Sequence, residues 1–474
     1  MSGNQEPDFA LYPLTSSDIG LSGVDMIKTW IVEGHINEKI LRGALDWVVA
    51  KWPLLAGRIE FVEKKPHFRV PFGNLPPGYE TYSLTSRTSH LPLSHYVKLP
   101  LAPFTEIPPI DLFMSNERYK LGGLKSYESA PFTHWHITYF EEDGQKHSCI
   151  GVLYSHALFD AVGSSMLLHA VEAELAGKDW DVPPSPTPGL SANPYQELLE
   201  KEISGNRSIS SQSKTSSGSA RVVGILGLLA WILGDLIQQW IYGSVRNHII
   251  VPHAVHTRLA KETRIEAEAA GLTDVRLAAG DILVAWAMKA VYKGENPKKT
   301  ISFSNAANVR SEWSKELSLY PHNCIVQVAY PPLTVHQIAT MPVYQLAHKL
   351  TVARMEGSRI EDAIAQQALH AEAQRKQPLG AVVNNSDSTD ETFLTTNASV
   401  ARIAHIDWTG AGGGKTIAHY RMAPVQFVPL NVLLINGWLN DGDLVLNSSF
   451  TTRRAERLRE EYDKLVTRYQ TENA

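Results

Sequence analysis

Val152-Leu-Tyr-Ser-His-Ala-Leu-Phe-Asp-Ala-Val-Gly163 reads as a strand, a turn and the start of a helix. The apolar run ends at Ser155, and Met166, Leu167, Leu168, Val171 and Leu175 then recur at helical spacing from about Gly163. His156 therefore stands where a buried strand meets a turn. A side chain so placed is held firmly yet can face a cavity, as a general base must. Its imidazole accepts a proton near neutral pH, and Asp160, four residues on, could hold the turn that aims it. By itself the His-x-x-x-Asp spacing does not separate such a base from a structural histidine satisfied by its neighbours.

The surroundings narrow the choice. Leu21-Ser-Gly-Val-Asp25, Leu41-Arg-Gly-Ala-Leu45 and Trp52-Pro-Leu-Leu-Ala-Gly-Arg-Ile59 precede it, and a strand, Trp135-His-Ile-Thr-Tyr-Phe140, leads into a glycine-containing turn. Asp281-Ile-Leu-Val-Ala-Trp286, Asn308-Val-Arg310 and Thr396-Asn-Ala-Ser399 follow, the last about ten residues before Asp407. Taken in this order, these elements resemble the BAHD acyltransferases, which include plant hydroxycinnamoyl transferases and fungal trichothecene acetyltransferases. The resemblance implies an α/β fold of two similar-sized chloramphenicol acetyltransferase-like domains. Each would be a mixed β-sheet flanked by helices, with the active site at their interface. It also implies His156 as general base, Thr396 and Asn397 near the oxyanion and substrate site, and Asp160, Arg310 and Asp407 in structural roles, Asp160 paired with Arg310. Acyl-CoA, by analogy acetyl-CoA, would be the co-substrate, with no bound cofactor or metal. The chain departs from the pattern at Ala161, where the family has Gly, at Ala398, where it has Trp, and at Asp407-Trp-Thr-Gly-Ala411, where it has Asp-Phe-Gly-Trp-Gly. The last change bears on which donor is used, and on whether one is used at all.

The chain's 474 residues suit two domains of ordinary size. Apolar residues make up 43% and charged residues 20%, as in a soluble globular enzyme. A net charge of −5, without a long basic stretch, argues against a nucleic-acid partner. Cys149 and Cys324, the two cysteines, lie far apart in apolar segments and read as buried thiols of a reduced compartment. Met1–Asp8 lacks the basic and apolar regions of a secretion signal, so the cytosol is the expected compartment; a monomer is the expected state.

Expected domains run over 1–190 and 221–474, joined by a flexible Ser-rich crossover at 191–220. Amphipathic helices are expected at Glu38 to Lys51 and Ala455 to Tyr469. One segment stands apart. Val222 to Leu233 is apolar on every side, and Asp235, Gln238 and Gln239 then interrupt it before Trp240-Ile-Tyr242. A bilayer span needs about twenty apolar residues, and a central Asp costs several kcal/mol there. A buried helix over the active-site entrance is the leading reading of 222–242. A peripheral membrane contact that admits an apolar substrate is the sharper alternative.

Other patterns carry less. Thr409-Gly-Ala-Gly-Gly-Gly-Lys-Thr416 lacks the first Gly of a phosphate-binding loop and leads into an extended segment, Ile417 to Met422. His134 and His136 share a strand face but have no third ligand at matching spacing, and His253 and His256 have no partner motif. Ser155 adjoins His156 and so points to the opposite face of the strand. Asn440 to Asp443 reads as a hairpin turn.

With the residues above, the resemblance implies direct acyl transfer from acyl-CoA to a small-molecule acceptor, tailoring a fungal specialised metabolite. One alternative keeps His156 for a CoA-independent proton transfer, such as cyclisation or elimination. The other is a non-catalytic binding protein.

Overall fold

The computed structural model describes residues 8–115, 123–205, 221–376, 381–383, 389–424 and 428–471. Strands β1 (Asp25–Glu33), β2 (Ser83–Thr88), β3 (Phe104–Glu106), β4 (His134–Glu142), β5 (Gln145–Ser155) and β6 (Val245–Val251) are followed by β7 (Thr300–Asn308), β8 (Ile325–Ala329), β9 (Glu391–Asn397), β10 (Thr416–Met422), β11 (Val432–Trp438) and β12 (Leu444–Phe450). They form two mixed sheets. The first has the order β10-β1-β5-β4-β2 and the second β8-β7-β9-β11-β12-β6-β3, with Leu333–Thr334 added beside β7.

Each sheet takes one strand from the other half of the chain. β10 pairs with β1, placing Arg421 opposite Lys28. β3 pairs with β6, placing Thr105 opposite His248. Both exchanges cross the division between 1–190 and 221–474 drawn from the sequence. Pro194–Gly205, within the expected linker, is helical, while 206–220 lie outside the described residues.

β1 and β5 are covered on both faces, which is why they read as continuous apolar runs rather than alternating ones. Trp30, Val32, Ile150 and Val152 belong to the main N-terminal core, and Ile27, Ile31, Cys149 and Leu153 to a second core on the other face. The second sheet divides differently. Phe303, Phe393, Leu433, Leu446 and Ile249 share one core with three helices, α4 (His253–Ala269), α5 (Ala279–Val291) and α6 (Thr452–Thr471). Because side chains alternate along a strand, the opposite face carries Thr105, His248, Asn447, Leu434, Thr396 and Ala306 in cross-strand register. A polar aisle thus runs across the second sheet.

Helix α1 (Glu38–Lys51) occupies the range its apolar spacing predicts. Asn37 accepts hydrogen bonds from the Lys39 and Ile40 amides as its N-cap, and Leu41, Ala44, Leu45 and Val48 are buried. Such a cap contributes about 1 kcal/mol, and each large aliphatic side chain about 1.5–3 kcal/mol. Burial governs this helix. α6 likewise buries Leu458, Tyr462 and Leu465. The hairpin between β11 and β12 turns through Leu439–Asp443, where the Leu439 amide donates to the Asp443 carbonyl.

The helix read from 222–242 is not buried. α3 (Ile225–Tyr242) lies on the surface with Leu226 80% and Trp240 86% exposed, and Leu229, Leu233, Leu236 and Ile237 also face outward. Its polar residues face the protein instead. The Asp235 carboxylate accepts from the Leu430 amide at 3.2 Å and from Gln239 Nε2 at 2.7 Å, and Gln239 Nε2 also donates to the Val428 carbonyl at 3.0 Å. The chain beside the helix offers it the Val428 carbonyl and the Leu430 amide, so the polar stripe is the one that docks. No helix among the described residues is long and apolar enough to cross a membrane.

Candidate active site

β5 delivers the chain to a tight turn. The His156 amide donates to the Val24 carbonyl at 2.8 Å, and the Leu158 amide to the Ser155 carbonyl at 2.9 Å. Helix α2 (Ala161–Leu175) then begins, capped by Asp160, whose Oδ1 accepts from the Gly163 amide at 2.8 Å. Gly163 is required here by close approach, since a Cβ would lie 1.7 Å from the Pro321 carbonyl oxygen.

Asp160 does more than cap. Arg310 Nη1 donates to its Oδ2 at 2.8 Å and Nη2 to its Oδ1 at 2.9 Å, and the Cys324 amide donates to Oδ2 at 3.1 Å. Arg310 spends its remaining donors on the Tyr320 and His322 carbonyls and on Asn308 Oδ1. All five guanidinium N–H groups are therefore engaged, which a buried arginine needs. The pair ties the start of α2 to the second half of the chain.

A second tie holds the histidine itself. Asn323 Nδ2 donates to the His156 carbonyl and to Asp18 Oδ1, both at 2.8 Å, and Thr15 binds the other oxygen of Asp18. Burial pushes the Asp18 carboxyl up to about 6, against hydrogen bonds from Asn323 and Thr15 that pull it down.

His156 is partly exposed. Its Nδ1 is buried without a hydrogen-bond partner on another residue, which leaves Nε2 to meet a reacting group. Burial holds the imidazole below its ordinary range; its own backbone carbonyl and Asp160 oppose this, and Lys28 and Arg421 reinforce it. The ring is thus neutral and ready to accept a proton at neutral pH. Lys28 and Arg421 are cross-strand neighbours on β1 and β10, and Arg421 Nη1 donates to Thr396 Oγ1 at 3.3 Å.

The structure brings His156, Asp160 and Arg310 together and connects Thr396 to them through Arg421. It does not bring Asn397 to that group. Asn397 points to the other face of β9, accepts from the Ser399 amide at 3.0 Å, and lines a cavity of about 330 Å³ with His253, His256, Gly280 and Trp438. Asp407 is exposed: its amide donates to Glu172 of α2 at 2.8 Å and its carboxylate accepts from the Thr409 amide at 2.9 Å. Trp408 beside it is buried edge-on against Trp30, so this loop serves packing.

The weaker motifs resolve simply. Thr409–Ala411 is a short turn leading into β10, with no helix at the end of the glycine run. His136 bonds the Thr85 hydroxyl and is held down to about 4 by burial. Ser155 accepts from the Ala157 amide at 3.3 Å as part of the turn. Both cysteines are free and buried, and burial raises both thiols. Among the described residues no cluster of three metal-ligating side chains occurs.

Lys28, Arg421, Asn323 and Asp18 were not singled out from the sequence. For Lys28 a signal existed: a lysine stands inside the apolar strand Met26 to Val32.

No family model and no curated protein matches the chain by sequence. Solved structures match it in fold. TRI101 of F. sporotrichioides, complexed with coenzyme A and T-2, aligns over 96% of this chain and 98% of its own, at 12% identity and a TM-score of 0.61. TRI101 of F. graminearum, complexed with coenzyme A and deoxynivalenol, gives the same coverage and TM-score at 13% identity. Vinorine synthase aligns over 98% of this chain and 95% of its own, at 12% identity and a TM-score of 0.56. The chain has the fold of TRI101 and vinorine synthase. Arg421, on β10 of the first sheet, acts on His156 and reaches Thr396 on the polar aisle of the second.

Proposed function

We propose that the protein is an acyl-CoA-dependent O-acyltransferase that acts on a small-molecule acceptor in a ternary complex. The observation that carries this reading is His156: a neutral, partly exposed imidazole whose loop is fixed from behind by Asp160–Arg310 and by Asn323. His156 Nε2 takes the proton of the acceptor hydroxyl as its oxygen attacks the thioester carbonyl. The tetrahedral oxyanion that forms needs a donor already in place, worth about 3 kcal/mol. Thr396 suits this role, because its oxygen accepts from Arg421 and its own proton stays available. Collapse expels the thiolate of CoA, and the imidazolium returns its proton to that sulfur. Structural relatives crystallised with coenzyme A support the choice of donor. Acetyl-CoA, a fungal specialised metabolite as acceptor, a monomeric state and a cytosolic location complete the reading.

The decisive assay incubates the protein with candidate acceptors, with and without acetyl-CoA. A mass gain of one acetyl group that requires the thioester supports acyl transfer. Conversion without any thioester would replace it with CoA-independent proton-transfer chemistry.

The same reading includes peripheral contact with a bilayer surface through α3. Its support is the helix's inverted polarity: Asp235 and Gln239 face the protein, while leucines, Ile237 and Trp240 face out. Such a helix lies in the interface rather than across it. Flotation with phosphatidylcholine vesicles tests this. Wild-type protein should rise with the vesicles and a Leu226→Ser, Leu233→Ser, Trp240→Ser variant should not; equal behaviour of the two would remove the bilayer from the proposal.

A further inference from the structure

Lys28 is 1% exposed, and its ammonium meets no hydrogen-bond acceptor among the described residues. Arg421, its cross-strand neighbour, is also buried, and its Nε has no partner. Asn447 adjoins the backbone of Arg421. Its Oδ1 accepts from the Arg421 amide and from Asn436 Nδ2, while its own Nδ2 is buried and unpartnered. The acid that acts on Lys28 is Asp160, but both oxygens of Asp160 are already engaged by Arg310 and two backbone amides. Lys28 and the Arg421 guanidinium thus lie side by side with no carboxylate free to pair with them, and burial and Arg421 together hold the lysine well below its ordinary range. Without an anion the lysine sheds its proton, whereas an anion seated between the two side chains would restore it and complete the site.

We infer that Lys28 and Arg421 form the seat of a compact oxyanionic group, a carboxylate or a phosphate ester, carried by the acceptor substrate. The inference rests on the acyl-transfer reading of this site and adds the acceptor's chemical class. The phosphates of CoA are the wrong anions, since they lie a full pantetheine arm away from the sulfur that must reach His156. The transient oxyanion is also a poor match. It exists only during reaction, and the site would stay incomplete through the rest of the cycle. A charged group on the bound acceptor satisfies them before chemistry begins, and a two-cation clamp fixes the orientation of the hydroxyl beside His156.

Calorimetric titration of the full chain tests the seat without turnover, using benzoate, phenyl phosphate and the neutral benzyl alcohol as probes. Wild-type protein should bind at least one anion about 10-fold or more tightly than benzyl alcohol, and the tighter anion names the group. Lys28→Met and Arg421→Met should each weaken that anion about 10-fold or more, and Lys28→Arg should restore most of the affinity. Lys28→Met should melt no lower than wild type, because it removes a buried amine that has no hydrogen-bond acceptor. His156→Ala should bind the anion as wild type does, so anion binding without acyl transfer would count against the reaction and leave the seat standing. Equal affinity for benzoate and benzyl alcohol, binding of neither anion, or undiminished anion binding by Lys28→Met would overturn the inference.

Discussion

Arg310 clasps Asp160 through two hydrogen bonds of 2.8 and 2.9 Å, with both side chains almost wholly buried and 150 residues apart in sequence. The pair does not touch the reacting atoms. It fixes where α2 begins, and through that where His156 points. Asp160→Ala leaves an unpaired guanidinium and Arg310→Met an unpaired carboxylate. Each should lower stability to urea by about 3–5 kcal/mol. The double variant should lose less than the sum, since it strands no charge. Additive losses would mean that the two residues act independently.

Asn323 holds the carbonyl of His156 and is held in turn by Asp18. Asn323→Ala should reduce kcat by about 10²-fold with little change in KM, because a misplaced base slows chemistry without weakening binding. A rise in KM at constant kcat would show instead that Asn323 shapes the substrate pocket.

Asp18 makes that anchor sensitive to pH. Its carboxyl is raised from 3.8 to about 6 in the folded protein, mainly by burial. A group raised on folding contributes stability that is fully present below its unfolded pKa and lost as pH climbs through the folded value. The contribution of Asp18 should therefore fall by about 2 kcal/mol between pH 4 and pH 7. The stability difference between wild type and Asp18→Asn, measured in urea across this range, should shift in that direction. A flat difference would show that the carboxyl titrates normally.

For His156 the sign is opposite in use. Burial lowers its pKa, so the imidazole stays unprotonated to lower pH than a free histidine. The acid limb of kcat/KM should fall below pH 6.5, the ordinary histidine value. His156→Ala should cost about 10²–10⁴-fold in kcat while the melting temperature stays close to wild type. An acid limb above 6.5, or near-normal turnover by the variant, would remove the imidazole from the reaction.

The strand, turn and helix around His156 were legible because each is local: an apolar run, a capping Asp and helical spacing lie within two dozen residues. α1 was legible to the residue for the same reason. The exchange of β3 and β10 between the sheets was not, since a short strand's sequence does not record which distant edge it joins. The outward face of α3 was hidden likewise, because its partners are backbone groups at 428 and 430, nearly two hundred residues away. Thr396 and Asn397 are a different case. The alternation that separates Ser155 from His156 also separates these two, so the motif could supply one residue to the aisle but not both. Lys28 carried a signal in its apolar strand, but its meaning depends on Arg421, which only the β1–β10 pairing supplies.

Two small residues at the start of α2 bring the packing argument to a test. Ala161 stands in the first turn and is partly exposed, whereas Gly163 is pressed against the carbonyl of Pro321. Pro321 belongs to the segment whose neighbours, Tyr320, His322 and Cys324, bind Arg310 and Asp160. A methyl group at 163 would have to push that segment away by more than an ångström, stretching the cap and the ion pair together. Gly163→Ala should therefore cost about 1–3 kcal/mol or more, as overpacking does, and should slow turnover as Asp160→Ala does. Ala161→Gly, one turn position away and free of that contact, should lose only the roughly 1 kcal/mol of a helical Gly and keep its activity. Urea titration and steady-state kinetics on the two variants separate the cases. If Gly163→Ala is as stable and active as wild type, α2 does not press on Pro321, and the position of His156 does not depend on that contact.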